Sequence, residues 1–192
     1  MLYNELVILK KGDGDVERIY LLLSQSGTLP ARVLKWFTGA EYNHISIGFS
    51  KDLLKLYSFG RRYLYLPIPG GFIAEGRDRG IYGRFPNAKI ALLELDVPQE
   101  KKEALVERLE AMYKDKKKYH YNLLGVGLAA FRIPYQRKKH YYCSEFVRDL
   151  LVEIGILKGE DFERIVQPVH FLDLAETKMI FCGKLSEYFA EK

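Results

Sequence analysis

An alternating stretch, NHISIGFS at residues 43–50, constrains the fold more than any other feature of the sequence. Apolar residues alternate there with small or polar ones, which is the period of a β-strand with two different faces. A turn near Asp52 and a second apolar stretch, LLKLYSF at 53–59, follow directly. The two stretches predict a β-hairpin, so the chain must build an antiparallel sheet.

The remaining segments complete an α+β order, in which a small antiparallel sheet packs against helices. Apolar and β-branched stretches predict further strands at 5–9, 17–23, 89–97 and 178–185. Helical periodicity or helix-start signals predict helices at 28–39, 98–116 and 142–156, and the apolar residues 121–131 predict a short helix or a buried turn. We expect one domain over residues 1–192, with a long loop at 60–87 that holds six glycines, five arginines and a short strand at 71–75.

Composition excludes several classes of protein. Aromatic residues make up 14% of the chain, which is too many for a disordered protein. The longest apolar run, Leu123–Phe131, has nine residues where a membrane-spanning helix needs about 20, so we expect no transmembrane segment. The N-terminus lacks the pattern of a secretory signal, and two cysteines are too few for a disulfide framework, which favours a cytoplasmic protein.

Charge and cysteine spacing narrow the range of partners. The net charge of +5 includes basic runs at 114–118 and 137–140. Two interpretations are open: the runs attract anionic partners, or they are an ordinary solvated helix end and loop. No nucleic-acid-binding motif accompanies these runs, so we expect no nucleic-acid partner. The cysteines lack CxxC spacing, and we expect neither a metal nor an organic cofactor.

Cys143 is the first candidate catalytic residue. It begins the predicted helix, on the face that the apolar residues of that helix share, whereas Ser144 and Glu145 belong to the opposite, solvated face. Unpaired N–H groups at a helix N-terminus stabilise a thiolate, and they also stabilise the oxyanion of a tetrahedral intermediate. A buried, inert cysteine at the start of an ordinary amphipathic helix is the alternative interpretation.

His44 is the second candidate. It lies at the start of the alternating strand, and the other residues on its face, Ser46 and Gly48, are small enough to leave space for a cleft. A histidine on a sheet and a cysteine at a helix start form the nucleophile–base pair of thiol enzymes. The other histidines, at 120, 140 and 170, are weaker candidates, because two lie in basic loops and the third follows Pro168.

Two motifs, NHISIGF at 43–49 and YYCSEFV at 141–147, resemble the NlpC-type papain-like superfamily. The order of His44 before Cys143 resembles its circularly permuted branch, which includes the YaeF/YiiX-like amidases and, more distantly, the lecithin:retinol acyltransferases. The Pro-led segment QPVHFLDLAE at 167–176 is similar to an element that follows the cysteine helix in that branch. The resemblance covers roughly residues 17–60 and 139–183, and it implies a permuted papain-like fold.

The family resemblance also implies a third polar residue that orients the histidine, often a glutamate. If the hairpin turn centres on Lys51, Ser58 lies opposite His44 on the same face. Glu75, after the strand GGFIA, is chemically better, because a carboxylate stabilises an imidazolium. Both residues remain candidates.

We therefore expect a cysteine-dependent amidase or peptidase that forms an acyl-thioester at Cys143, with His44 as the base and Ser58 or Glu75 as the orienting group. The substrate would be a peptide, an amide or a lipid-like molecule, with anionic groups matched by the arginine-rich loop. Two alternatives remain: an acyltransferase with a lipid or amine acceptor, and a non-catalytic binding module that kept the fold.

Overall fold

The structure is a computed structural model, and it describes residues 16–25, 41–62, 70–129 and 131–190. In these residues one mixed sheet of eight strands packs against helices, which confirms the α+β class. The predicted strand at 5–9 and the predicted helix at 28–39 lie outside the described residues. No helix in the described ranges has both the length and the apolar character needed to cross a membrane.

The strands occur in the spatial order β7-β6-β4-β3-β2-β1-β5-β8, and all neighbours are antiparallel except β6 and β7. Their bounds are β1 Val16–Gln25, β2 His44–Gly48, β3 Leu56–Arg61, β4 Gly70–Glu75, β5 Lys89–Pro98, β6 His120–Tyr121, β7 His140–Tyr141 and β8 Lys178–Lys184. The predicted strands at 17–23, 44–49, 53–59, 71–75, 89–97 and 178–185 are thus confirmed within a few residues.

Five α-helices are described: α1 Gly80–Arg84, α2 Gln99–Lys114, α3 Leu123–Ala129, α4 Cys143–Glu153 and α5 Leu185–Ala190. Short 3₁₀ helices occupy Lys116–Lys118, Gly159–Asp161 and Pro168–Leu172, the last in the predicted Pro-led segment. α4 ends where Gly155 adopts φ 72°, a left-handed conformation that glycine adopts without strain and that commonly closes a helix.

The two faces of the sheet carry different cores. One face packs against α2 and α4, and the residues that fill this larger core include Ile45, Phe59, Leu109 and Phe146. The opposite face carries a smaller core covered by α1 and α5. The strict alternation of β2 places Ile45 and Ile47 in the larger core, so His44 and Ser46 belong to the opposite face.

The register of the hairpin differs from the prediction. Ile47 pairs with Tyr57 and Gly48 with Leu56, so the turn centres on Asp52 rather than on Lys51. The reason lies in the turn itself, where Leu53 adopts φ 55° and buries its side chain in the smaller core. Its carbonyl also accepts a 2.9 Å hydrogen bond from the Arg77 N–H, which ties the turn to the end of β4.

The glycine- and arginine-rich stretch at 60–87 contains more regular structure than predicted. Besides β4 it forms α1, whose Tyr82 is 1% exposed. α1 lacks the apolar periodicity of a longer helix and makes only about one turn, because Phe85 and Pro86 follow at once. Residues 63–69 lie outside the described residues.

Candidate active site

His44 begins β2 on the smaller-core face, with 16% of its side chain exposed. Gly60 of β3 lies beside the ring, and a methyl group on that glycine would come within 3.7 Å of the His44 Cε1 atom. Because Gly60 has no side chain, the imidazole has room above the sheet. The small Ser46 and Gly48 on the same face of β2 had predicted such a space.

Glu75, the last residue of β4, contacts this imidazole. The His44 Nε2 atom lies 2.7 Å from the Glu75 Oε1 atom, and the carboxylate side chain is only 3% exposed. The two residues are 31 positions apart in the sequence and are separated in the sheet by β3. The structure thus brings together His44 and the chemically stronger of the two orienting candidates.

Ser58, the other candidate, is placed elsewhere. Its hydroxyl donates a 2.6 Å hydrogen bond to the carbonyl of Ile45, and its side chain is fully buried. Continuing the observed register of β2 and β3 sets Ser58 beside Ser46, because the turn is centred one residue later than expected. The prediction that Ser58 lies opposite His44 is therefore wrong.

A buried hydroxyl network supports Glu75, and sequence reasoning missed it. The Ser46 hydroxyl donates a 2.5 Å hydrogen bond to the Glu75 Oε1 atom. This uses its only proton, so the Tyr82 hydroxyl, 3.3 Å away, donates to Ser46 and accepts from Ser24 at 3.1 Å. The only sequence signals were the small Ser46 on the histidine face and a tyrosine in the loop at 60–87.

Electrostatics at His44 favour the imidazolium. Burial lowers the pKa of His44, but the negative charge of Glu75 and hydrogen bonds with Cys143 and Glu75 outweigh that effect and raise the pKa to about 10. Burial, with the charge of Glu75, raises the pKa of Tyr82 well above its usual range, so its hydroxyl remains a donor. At neutral pH the site therefore holds His44 as a cation against the Glu75 carboxylate.

Cys143 is the first residue of α4 and is 5% exposed. Its Sγ atom lies 4.0 Å from the carbonyl oxygen of Asn43, the residue before His44, and its side chain is hydrogen-bonded to His44. Glu75, through Nε2, and Cys143 thus both act on the His44 imidazole.

The start of α4 differs in detail from the prediction. The N–H of Phe146 is used in a 3.0 Å hydrogen bond to the Tyr142 carbonyl, so the first N–H groups of the helix are those of Cys143, Ser144 and Glu145. Ser144 and Glu145 are buried rather than solvated. The reason is the segment around Val166, whose carbonyl accepts a 2.8 Å hydrogen bond from the Ser144 hydroxyl and which covers this end of the helix.

A cavity of about 430 Å³ lies beside the first turn of α4. Its lining comprises Ala129, Arg132, Pro134, Glu163, Arg164, Ile165 and Gln167. Ile165 and Gln167 flank Val166, whose carbonyl binds the Ser144 hydroxyl, so the cavity borders the segment that covers the start of α4. Arg132 and Arg164 give it cationic groups, and these arginines lie outside the loop from which an anionic substrate was expected to be bound.

The second cysteine, Cys182, lies on β8 and is exposed. β8 is an edge strand, and its burial pattern does not follow the simple alternation of a covered strand. The Cys182 sulfur lies 3.5 Å from the Tyr42 hydroxyl, and both cysteines are free thiols.

The other histidines have contacts of their own. His120 and His140 face each other across β6 and β7 with ring centroids 5.0 Å apart, and the Nδ1 atom of His170 accepts a 3.4 Å hydrogen bond from the Gln167 N–H. Within the described ranges no cluster of three or more His, Cys, Asp or Glu residues is arranged to hold a metal ion.

In comparisons with known proteins, no family model matches the chain and no curated protein matches it.

Proposed function

We propose that this chain is a cysteine-dependent hydrolase of the permuted papain-like type, an amidase or a peptidase. One observation carries the proposal: His44 Nε2 lies 2.7 Å from the Glu75 carboxylate, and the same imidazole interacts with the side chain of Cys143 at the start of α4. A cysteine protease site needs this order, because the imidazole must exchange a proton with the sulfur while a third group fixes its orientation. The order of His44 and Cys143 in the chain and the resemblance of their motifs support the same family.

The proposed reaction begins with the Cys143 proton on His44, which leaves a thiolate beside an imidazolium. The thiolate attacks the substrate carbonyl, and the oxyanion that forms is stabilised by N–H groups at the start of α4. His44 then gives its proton to the leaving amine as the C–N bond breaks, and an acyl-thioester remains on Cys143.

The second half of the reaction uses the same groups in reverse. His44, now neutral, takes a proton from water, the hydroxide attacks the thioester carbonyl, and the tetrahedral intermediate collapses to release the acid. The enzyme thus returns to its starting state, with a thiolate at Cys143 and a proton on His44. The Glu75 carboxylate beside Nε2 stabilises the imidazolium at each step where it forms.

Active-ester trapping tests this proposal without knowledge of the natural substrate. We expect p-nitrophenyl acetate to add one acetyl group to Cys143, detected by intact mass and peptide mapping, in the wild type and in the matched control Cys182→Ser. Cys143→Ser should form no thioester, and His44→Ala should slow acylation by at least about 100-fold, the usual weight of general base catalysis. An adduct that forms at Cys182 or at lysines but not at Cys143 would refute the proposal and leave a non-catalytic binding module.

The acceptor in the second step distinguishes hydrolysis from acyl transfer. Once Cys143 is acetylated, a hydrolase releases acetate at a rate that added amine or alcohol changes little. An acyltransferase would instead keep the thioester until an amine or a lipid hydroxyl is supplied. Quantifying free acetate against acylated acceptor therefore separates the two chemistries on the same protein.

A further inference from the structure

Four exposed apolar side chains lie at the two ends of α3, Leu123 and Leu124 at its start and Phe131 and Ile133 just after its end, and we call them the apolar ridge. These side chains are 48%, 55%, 76% and 50% exposed. They account for half of the large hydrophobic residues that are exposed in the described ranges, and they lie within eleven consecutive positions. Isolated exposed apolar residues are ordinary, but a concentration of them marks a surface that another apolar phase covers.

Hydrogen bonds fix the backbone of the segment that carries the ridge. Asn122 accepts a hydrogen bond from the Gly125 N–H at the start of α3 and donates to the Tyr135 carbonyl at 2.9 Å. The N–H groups of Phe131 and Ile133 both donate to the Leu128 carbonyl at 3.0 Å, which folds the chain back against the end of the helix. α3 and the turn that follows it thus form one hydrogen-bonded unit, and the four apolar side chains are exposed on it.

The same unit carries an unusual concentration of positive charge. Residues 116–144 contain seven of the 30 Lys and Arg residues and none of the 25 Asp and Glu residues, so the rest of the chain has a slight excess of acid. β6 lies between the basic run at 116–118 and the start of α3, and only residues 134–136 separate Ile133 from the run at 137–139. β6 and β7 pair in parallel, and each strand follows one of the runs, so the two runs lie at the same end of this strand pair.

Two of these basic residues also have a left-handed backbone. Arg132 adopts φ 60° and Lys139 adopts φ 61°, conformations in which glycine or asparagine is ordinarily favoured. The turn at either position could be made by glycine at a lower cost in backbone energy. We therefore assign a role to the positive charge of Arg132 and Lys139.

We propose that the ridge and its basic surroundings dock the protein on an anionic membrane surface. The apolar side chains of the ridge insert at the boundary between the headgroups and the acyl chains, while the surrounding lysines and arginines contact the lipid phosphates and carboxylates. A second copy of the chain fits this surface poorly, because it presents the same positive charge. The proposal concerns docking and does not depend on the catalytic role of Cys143.

Vesicle flotation with the full chain tests the docking directly. We expect binding to phosphatidylcholine vesicles that contain roughly one-third phosphatidylserine, little binding to pure phosphatidylcholine, and weaker binding when salt shortens the Debye length below about 10 Å. Phe131→Ser with Ile133→Ser should lower the partition coefficient by about 100-fold, at about tenfold for each half-buried side chain. The matched control is Met179→Ser, which removes a side chain that is 49% exposed on β8.

The charged residues need a separate variant. Replacing Arg132, Arg137, Lys138 and Lys139 together by Gln should lower binding to the anionic vesicles by at least about 100-fold, at about fivefold for each cation. Wild-type protein that does not bind anionic vesicles overturns the proposal. So does binding that the serine variants leave intact, or a wild-type dimer in solution that those variants dissociate.

Discussion

Replacing Glu75 by Gln removes the charge beside His44 and keeps a group of the same shape that accepts a hydrogen bond. In the wild type the pKa of His44 is about 10, because the charge of Glu75 and the hydrogen bonds at the ring outweigh the opposing effect of burial. Charge centres about 4 Å apart interact by about 4 kcal/mol at an effective dielectric constant of about 20. At about 1.4 kcal/mol per pH unit, loss of the carboxylate lowers the pKa of His44 by about three units, to about 7.

The measurement is an NMR titration of the four histidine rings, with His44 assigned from its loss in His44→Gln. Glu94→Gln is the matched control, since Glu94 is also a buried carboxylate but contacts Lys51 and Arg18 rather than a histidine. It should leave the His44 titration unchanged. A wild-type His44 that titrates near 6.5, or a Glu75→Gln variant that still titrates near 10, contradicts the electrostatic account of the site.

Three further predictions follow from the same contacts. The pKa of His44 is raised on folding from 6.5 to about 10, so its stabilising effect is complete below pH 6.5 and is lost towards pH 10. The difference in unfolding free energy between wild type and His44→Gln should shrink by up to ~5 kcal/mol across that range, and a constant difference would count against it. Ser58→Ala, which removes the donor to the Ile45 carbonyl, should cost about 1–2 kcal/mol in urea unfolding without moving the His44 titration. If Ser58→Ala also lowered the pKa of His44, Ser58 would be acting on His44, contrary to the structure. Gly76→Ala should destabilise the fold by about 2 kcal/mol or more, because a Cβ there would lie 2.2 Å from the Leu54 carbonyl oxygen. Gly127→Ala in α3 meets nothing within 4 Å and should stabilise by about 0.5–1 kcal/mol; equal effects of the two substitutions would refute this packing.

Periodicity in the sequence predicted the local elements well. The alternation at 43–50 yielded β2, the apolar run at 89–97 yielded β5, and the spacing after Cys143 yielded α4. In each case the spacing of the apolar residues shows which side of the segment is buried, and that spacing distinguishes a strand from a helix. The positions of Cys143 and His44 at the starts of α4 and β2 follow from the same patterns.

Contacts between distant elements were harder to predict. The meeting of Glu75 with His44 depends on how β4 and β2 approach each other across β3, and a two-residue change in hairpin register moved Ser58 away. That register depends on the burial of Leu53 and on its left-handed backbone, which no periodicity encodes. Tyr82 entered the site through α1, a helix too short to leave a periodic signal.

The central claim, a thiolate–imidazolium pair at Cys143 and His44, is tested most directly by the pH dependence of alkylation. The experiment follows carboxamidomethylation of Cys143 by iodoacetamide, in a Cys182→Ser background that removes the exposed thiol. The account predicts labelling at about pH 6 that is faster than for a free thiol of similar exposure, with the rate profile shifted to higher pH in His44→Ala and shifted less in Glu75→Gln. A Cys143 whose labelling rises only near pH 8–9, as for an ordinary thiol, and is unchanged by His44→Ala would contradict the claim.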